Sequence, residues 1–177
     1  RNQLEDASVI KSNSLGVLTG RSLNAARYRY SELHLPNPGV WVCRAGTEIF
    51  YSDETVAYGS SHEFPLFPGT GSEEEIGVGN IFNAPIKSGI KSKEFLKVFE
   101  QKVLNPIDKF KPEVVLISAG FDAHTRDPLA SINLESKDFF EITKKIVDLA
   151  NVHSEGRIIS FLEGGYDLLA LSESIKE

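Results

Sequence analysis

The chain has 177 residues, of which 41% are hydrophobic and 25% charged, and this composition is typical of one soluble globular domain rather than a disordered tail or a fibre. Its 19 basic and 25 acidic residues give a net charge of −6, which argues against direct nucleic-acid binding. The single cysteine, Cys43, excludes an internal disulfide, and the lack of a long apolar run or an apolar leader predicts a cytoplasmic protein without a membrane span.

The first half of the chain carries weak signals of secondary structure. A short helix capped by Ser22 is predicted over residues 22–33, and two prolines with a glycine predict a turn over residues 34–39. Loose alternation predicts a short strand from Thr55 to Ser60. These signals do not define a fold for this half.

Three helices are predicted in the second half from capping residues and apolar periodicity. The first runs from Ser92, its expected N-cap, through Leu104. The second is expected to be capped by Ser136 and to end at about Val152, and Asp167 is expected to cap a third.

Two apolar runs, residues 114–117 and 157–162, predict strands that are buried on both faces. A helix between them is typical of a crossover that joins parallel strands, so the sequence predicts an α/β fold, a parallel sheet with helices on both faces. Sites in such sheets form beyond the carboxyl ends of the strands. We therefore expect Asp122 and Tyr166 at the same edge of the sheet.

Asp122 follows the first of these strands through a glycine, and a carboxylate in that place suits a metal ligand or a general base. A loop cap is the alternative role. His124, two residues later, is a further candidate metal ligand, with a structural place in the loop as its alternative.

Tyr166 follows two glycines, which let the backbone approach a ligand closely. A phenol in that place can donate a hydrogen bond to a developing oxyanion. The alternative is a buried tyrosine whose hydroxyl bonds within the protein. Phe67 stands in a loop rich in proline and glycine, where it lines an apolar entrance or contributes to ordinary packing.

Three stretches in the right order resemble the histone deacetylase family, with the bacterial acetoin-utilisation proteins and acetylpolyamine amidohydrolases as the most similar branch. They are GTEIFYSDETVAYGSSHEFPLFPGTGSEEEIGVGNIFNAPI, ISAGFDAHTRDPLASINL and ISFLEGGYDLLAL. The resemblance is firm over residues 46–175, and residues 1–45 diverge. We therefore expect residues 1–177 to form a single, truncated deacetylase-like domain.

The resemblance implies a zinc-dependent hydrolase of N-acetyl amides, acting on acetyl-lysine or acetylated polyamines, on an arginase-like sheet. Asp122 matches a zinc ligand of the family, with His124 as the further candidate, and Tyr166 matches the tyrosine that polarises the acetyl carbonyl. Gly164 and Gly165 match the floor of the acyl-lysine tunnel.

Two further features are implied by the same resemblance. Phe67 matches an aromatic wall of the tunnel. The backbone carbonyls of Phe50, Asp53 and Val56 match a loop that holds a monovalent cation, for which potassium is the expected ion.

The chain departs from the family pattern just before this cation loop. Val40 and Val42 stand where the family has a zinc-binding Asp and His, and the tandem histidine pair is absent. Catalytic zinc normally takes three protein ligands, so we expect impaired hydrolysis. Two functions stay open, an impaired deacetylase and a non-catalytic binding module or pseudoenzyme that keeps the tunnel surface. A truncated domain leaves apolar sheet surface uncovered, so self-association is expected.

Overall fold

A computed structural model describes residues 16–18, 40–43, 48–51, 56–66 and 69–177, and it divides the chain into two units, residues 1–56 and 57–177. The first unit contains a three-stranded sheet formed by β1 (Gly16–Leu18), β2 (Val40–Cys43) and β3 (Glu48–Tyr51). The central strand β2 is parallel to β1 and antiparallel to β3. The helix predicted over residues 22–33 lies outside the described residues.

The second unit contains two pairs of parallel strands. β4 (Tyr58–Glu63) pairs with β5 (Ile81–Ile86), and β6 (Val115–Ala119) pairs with β7 (Ile158–Leu162). A long helix lies between β6 and β7 in the chain, so the predicted parallel crossover and the α/β class are confirmed. The strand predicted from Thr55 begins three residues later, at Tyr58.

The helical segment after β5 is longer than predicted. α1 (Ser92–Phe99) continues through a π-helical turn (Glu100–Leu104) into α2 (Asn105–Phe110). The π-helical turn shifts the hydrogen-bond register, so Pro106 falls in the first turn of α2, where its missing N–H costs little. The segment ends where Lys111 adopts a left-handed conformation, with φ of 57°.

The N-caps predicted at Ser92 and Ser136 are wrong by one residue, because Lys91 and Glu135 cap α1 and α3 (Ser136–His153). Both serine side chains make tertiary contacts instead. The Ser92 hydroxyl donates to Asp138 Oδ2 at 2.5 Å.

The last helix is capped as the sequence predicts. The Asp167 carboxylate accepts a hydrogen bond from the Ala170 N–H at 2.7 Å and begins α4 (Leu168–Lys176). Within the described residues, no helix is both long and apolar enough to cross a membrane.

The core of the second unit lies between β5, the π-helical segment and α3, where two phenylalanines of α1 stack with ring centroids 6.3 Å apart. Its buried members are Ala84, Ile86, Phe95, Phe99, Val103, Ile132, Leu134 and Phe139. Phe121 and Ala123, in the segment that follows β6, pack against this core.

The prediction that β6 and β7 are buried on both faces is wrong, because one face is exposed and the other is covered only in part. Leu116 on β6 and its register partner Ile159 on β7 are 65% and 52% exposed, and Phe161 is 45% exposed. Val115 and Ile117, which point the other way, are half-buried. The continuous apolar run reflects two faces that both favour burial, and among the described residues the second face is covered only in part, since Leu162 on it is 60% exposed.

Candidate functional site at the carboxyl ends of β6 and β7

Backbone hydrogen bonds join the two segments that leave β6 and β7. The Phe121 N–H donates to the Gly164 carbonyl at 2.8 Å, and the Glu163 N–H donates to the Ala119 carbonyl at 3.0 Å. Parallel strands bring their carboxyl ends to one edge, so both segments continue side by side. The shared edge predicted for Asp122 and Tyr166 is thereby confirmed.

The Asp122 side chain lies directly on the backbone of Gly164. A Cβ atom added to Gly164 would meet the Asp122 Cγ and Oδ2 atoms at 2.7 Å and Oδ1 at 2.8 Å. A Cβ on Gly120 would meet the Asp122 Oδ1 atom at 2.9 Å. Real Cβ atoms essentially never approach other heavy atoms this closely, so the position of the carboxylate depends on glycine at both places.

The surroundings of Asp122 disfavour its ionised form. Partial burial raises the pKa of this carboxyl above its ordinary range, its own backbone N–H lowers it, and the nearby Asp127 carboxylate raises it again. A carboxylate in this state gains free energy when a cation binds. The electrostatics therefore suit a cation ligand more than a structural cap.

Asp127 connects the two segments through its carboxylate. The Oδ2 atom accepts the Tyr166 N–H at 2.7 Å, and the Oδ1 atom accepts the Leu129 N–H at 3.0 Å. Sequence patterns did not single out Asp127 as a site residue. The Asp-Pro pair at residues 127–128 is a signal for a turn and could have drawn attention to it, although not to its bond with Tyr166.

Tyr166 has a fixed backbone and an exposed side chain, 56% of whose surface is accessible. The preceding Gly165 has φ of +133°, and a Cβ there would meet the Phe121 Cβ at 3.0 Å. Gly165 is thus required by both its conformation and its close approach to the opposite segment. The alternative that Tyr166 is a buried residue of the core is wrong.

His124 is buried and has partners at both ring nitrogens. The Arg126 N–H donates to Nδ1 at 3.1 Å, and the Ser136 hydroxyl lies 3.4 Å from Nε2. The ring also stacks on Phe139 with centroids 6.2 Å apart. These contacts favour the structural alternative for His124 over a place among metal ligands.

The described residues do not by themselves fit a catalytic zinc. Among residues 56–66 and 69–177, with the three short strands before them, no group of three His, Cys, Asp or Glu side chains could hold a metal ion. Asp122 is one donor, and catalytic zinc takes three from the protein.

Several predicted site residues cannot be placed with the others. Phe67 and Asp53 lie outside the described residues. Phe50 is described only as part of the β3 backbone, and Val56 lies in the first unit. The tunnel wall and the potassium loop therefore stay predictions.

Comparison with known proteins identifies relatives over most of the chain. The family model described as histone deacetylase domain matches residues 43–177. A probable deacetylase of Archaeoglobus fulgidus is 37% identical over 125 residues, which are 68% of this chain and 35% of the relative. Histone deacetylase 10, chloroplastic, of Oryza sativa subsp. japonica is 34% identical over 134 residues, which are 73% of this chain and 30% of the relative.

A solved structure shares the fold. The acetylpolyamine aminohydrolase of Burkholderia pseudomallei superposes with a TM-score of 0.63 at 25% identity, covering 73% of this chain and 38% of that one. The chain therefore spans about a third of the length of the relatives it matches. A second family model, described as sucrose-6F-phosphate phosphohydrolase, matches residues 2–62.

Proposed function

Since the chain belongs to the histone deacetylase family, we propose that the edge formed by Asp122, Gly164 and Tyr166 binds N-acetyl amides and belongs to a site that hydrolyses them. The observation behind this proposal is that the Asp122 carboxylate lies against the backbone of Gly164, and that Gly164 is two residues before the exposed Tyr166. Acetyl-lysine and acetylated polyamines are the proposed substrates.

In this proposal Tyr166 acts on the acetyl carbonyl. Its hydroxyl donates a hydrogen bond to the carbonyl oxygen, and that bond strengthens as the oxygen becomes an oxyanion. Gly164 and Gly165 are proposed as the floor of the passage for the acyl chain, where a side chain at either position would displace Asp122 or Phe121. Phe67 is proposed as the aromatic wall of the same passage.

Asp122 is proposed as a ligand of the zinc ion that the family generally uses. Its raised pKa supports this role, because cation binding would relieve the cost of a half-buried charge. Since this is the one ligand among the described residues, we propose that hydrolysis is impaired in the chain. Potassium at the carbonyls of Phe50, Asp53 and Val56 remains a separate proposal.

Binding of an acetyl-lysine peptide to the full chain tests this function. An acetylated peptide should shift the amide resonances of residues 164–166, and the same peptide without the acetyl group should not. Tyr166→Phe should weaken binding of the acetylated peptide without unfolding the chain, because the mutation removes only the hydroxyl. If the acetylated and free peptides behave alike, the proposed site is wrong.

Hydrolysis tests the impairment separately. We expect negligible release of acetate from acetyl-lysine peptides and acetylpolyamines, with or without added zinc. Zinc-dependent hydrolysis that is abolished by Asp122→Ala and Tyr166→Phe would show that the chain is a competent deacetylase, and the impairment would then be rejected.

A further inference from the structure

The Asp127 carboxylate is buried between the two segments of the site. It is 8% exposed, and both of its oxygens accept backbone hydrogen bonds. The Asp127 N–H also donates to the His124 carbonyl at 2.8 Å, which holds Asp127 in its own turn. A buried carboxylate requires such partners, because an unpaired one would lose its hydration without compensation.

The two hydrogen bonds that the Asp127 carboxylate accepts have different structural roles. The bond to Leu129 spans two residues and is an ordinary turn bond of an aspartate that precedes a proline. The bond to Tyr166 spans 39 residues and reaches the backbone of the residue whose hydroxyl the proposed reaction uses. Turn formation explains the first bond and leaves the second unexplained.

The Tyr166 backbone needs such a restraint. It follows Gly165, whose φ of +133° is a conformation that other residues rarely adopt, and it precedes Asp167, which caps α4. A glycine pair gives the segment a wide choice of backbone conformations. Because the side chain is exposed, its neighbours restrain the ring little, so the backbone largely decides where the phenol points.

We propose that Asp127 is a positioning residue that holds the Tyr166 backbone, and with it the phenol, beside Asp122. The proposal rests on the proposed function for the role of the phenol, and on the bond between Asp127 and Tyr166 for the restraint itself. A bond to an ionised acceptor is stronger than one between neutral groups, which suits a restraint on a segment rich in glycine.

Asp127→Asn in the full chain tests the restraint, because asparagine has a similar shape but only one acceptor oxygen. The probe is 3-fluorotyrosine at Tyr166, read by fluorine NMR together with amide hydrogen exchange. We expect the Tyr166 resonance to move and its amide to exchange about tenfold faster, well below the melting temperature. Asp148→Asn, an exposed aspartate paired with Lys144 at 2.6 Å, is the matched control and should change neither.

The outcomes separate positioning from simple stabilisation. A lower melting temperature with unchanged Tyr166 signals would show that Asp127 only supports its own turn, and would overturn the proposal. These readouts need no substrate, so a failed peptide titration would reject the proposed function without touching the restraint. Binding of the acetylated peptide together with unchanged Tyr166 signals in Asp127→Asn would reject the restraint and leave the proposed function standing.

A different observation concerns residues 1–56. The histone deacetylase model begins at residue 43, the phosphohydrolase model covers residues 2–62, and the boundary between the two units follows residue 56. The alignment with the archaeal relative spans 125 residues, close to the length of the second unit alone. The deacetylase likeness and the second unit therefore nearly coincide.

We infer that the residues before the deacetylase match, 1–42, belong to a separate unit related to the sucrose-6F-phosphate phosphohydrolase family, and are not a divergent part of the deacetylase domain. Val40 and Val42 are then residues of β2 in the sheet of that unit and do not replace zinc ligands. The apolar sequence Val-Trp-Val-Cys suits a central strand bonded on both sides, as β2 is.

The single tryptophan of the chain, Trp41, makes this testable, because it lies in β2 and the second unit has none. Urea unfolding of the full chain should give a Trp41 fluorescence transition distinct from the far-UV circular dichroism transition, which reports the helices. In a thermal scan, Phe95→Ala, in the core of the second unit, should lower the midpoint of the circular dichroism transition by about 10 °C or more. The midpoint of the Trp41 fluorescence transition should not change.

Coincident transitions that Phe95→Ala moves together would show one cooperative domain and overturn the inference. Trp41 emission already at the unfolded wavelength in buffer would overturn it too, because the first residues would then form no folded unit.

Discussion

The contact between Asp122 and Gly164 predicts that a side chain at position 164 displaces the Asp122 carboxylate, so that the two residues are energetically coupled. Gly164→Ala places a Cβ atom 2.7 Å from the Asp122 Cγ atom, and the three nearest heavy atoms to that Cβ all belong to Asp122. The carboxylate must rotate away or the strand ends must separate. Because the obstructing atoms are the end of a flexible side chain, rotation is the cheaper response, and the strained rotamer should cost about 0.5–1.5 kcal/mol, a fall of roughly 1–6 °C in melting temperature.

A double-mutant cycle isolates that coupling. In the Asp122→Ala background the obstructing atoms are gone, so Gly164→Ala should be neutral or should stabilise by about 0.4–1 kcal/mol through the unfolded chain. The four chains are compared by urea unfolding at equal protein concentration, followed by circular dichroism. A coupling below about 0.5 kcal/mol would refute the contact, since distant sites add to within that margin.

Three further predictions concern the same unit. Leu134→Ala should destabilise the chain by about 2–5 kcal/mol in urea, because Leu134 is fully buried, while Leu116→Ala on the exposed face should stay within about 0.5 kcal/mol. Asp122→Asn should stabilise the metal-free chain at neutral pH and have no effect in strong acid. The folded state raises the pKa of the Asp122 carboxyl, so stability that is present in acid is lost as the pH rises through the raised pKa. An equal difference in melting temperature between the two chains at both pH values would contradict this. Sedimentation should show self-association that Ile159→Lys reduces, because the mutation places a charge on the uncovered face of β6 and β7, and a monomeric parent chain would contradict this.

Helix positions were predictable where local rules decide them, but some helix ends were not. Periodicity and Asp167 located α3 and α4, because an apolar face and a capping carboxylate act within a few residues. The continuation through Pro106 depends on a π-helical turn that no local signal announces. The cap at Ser92 failed since its hydroxyl bonds to Asp138, 46 residues away.

The site was predictable as far as side chains define it. The rule for strand ends placed Asp122 and Tyr166 together, and the resemblance to a family supplied their roles. Asp127 was not predicted, because the partner that distinguishes it is the backbone N–H of Tyr166, 39 residues away in the sequence. Burial of the β6 and β7 faces was overpredicted, since an apolar run states a preference and cannot show whether anything covers it.

The charges at this edge support the proposed role of Asp122 as a ligand of a cation. Asp122 and Asp127 lie close enough for the second to raise the pKa of the first. Arg126, the basic residue of the same segment, turns instead to Glu173 at 2.5 Å and Asp167 at 3.9 Å. Folding alone would favour pairing that arginine with the half-buried carboxylate. A bound cation would stabilise a carboxylate whose pKa is raised beside another acid, and this agrees with the proposal that Asp122 is a ligand of a metal ion.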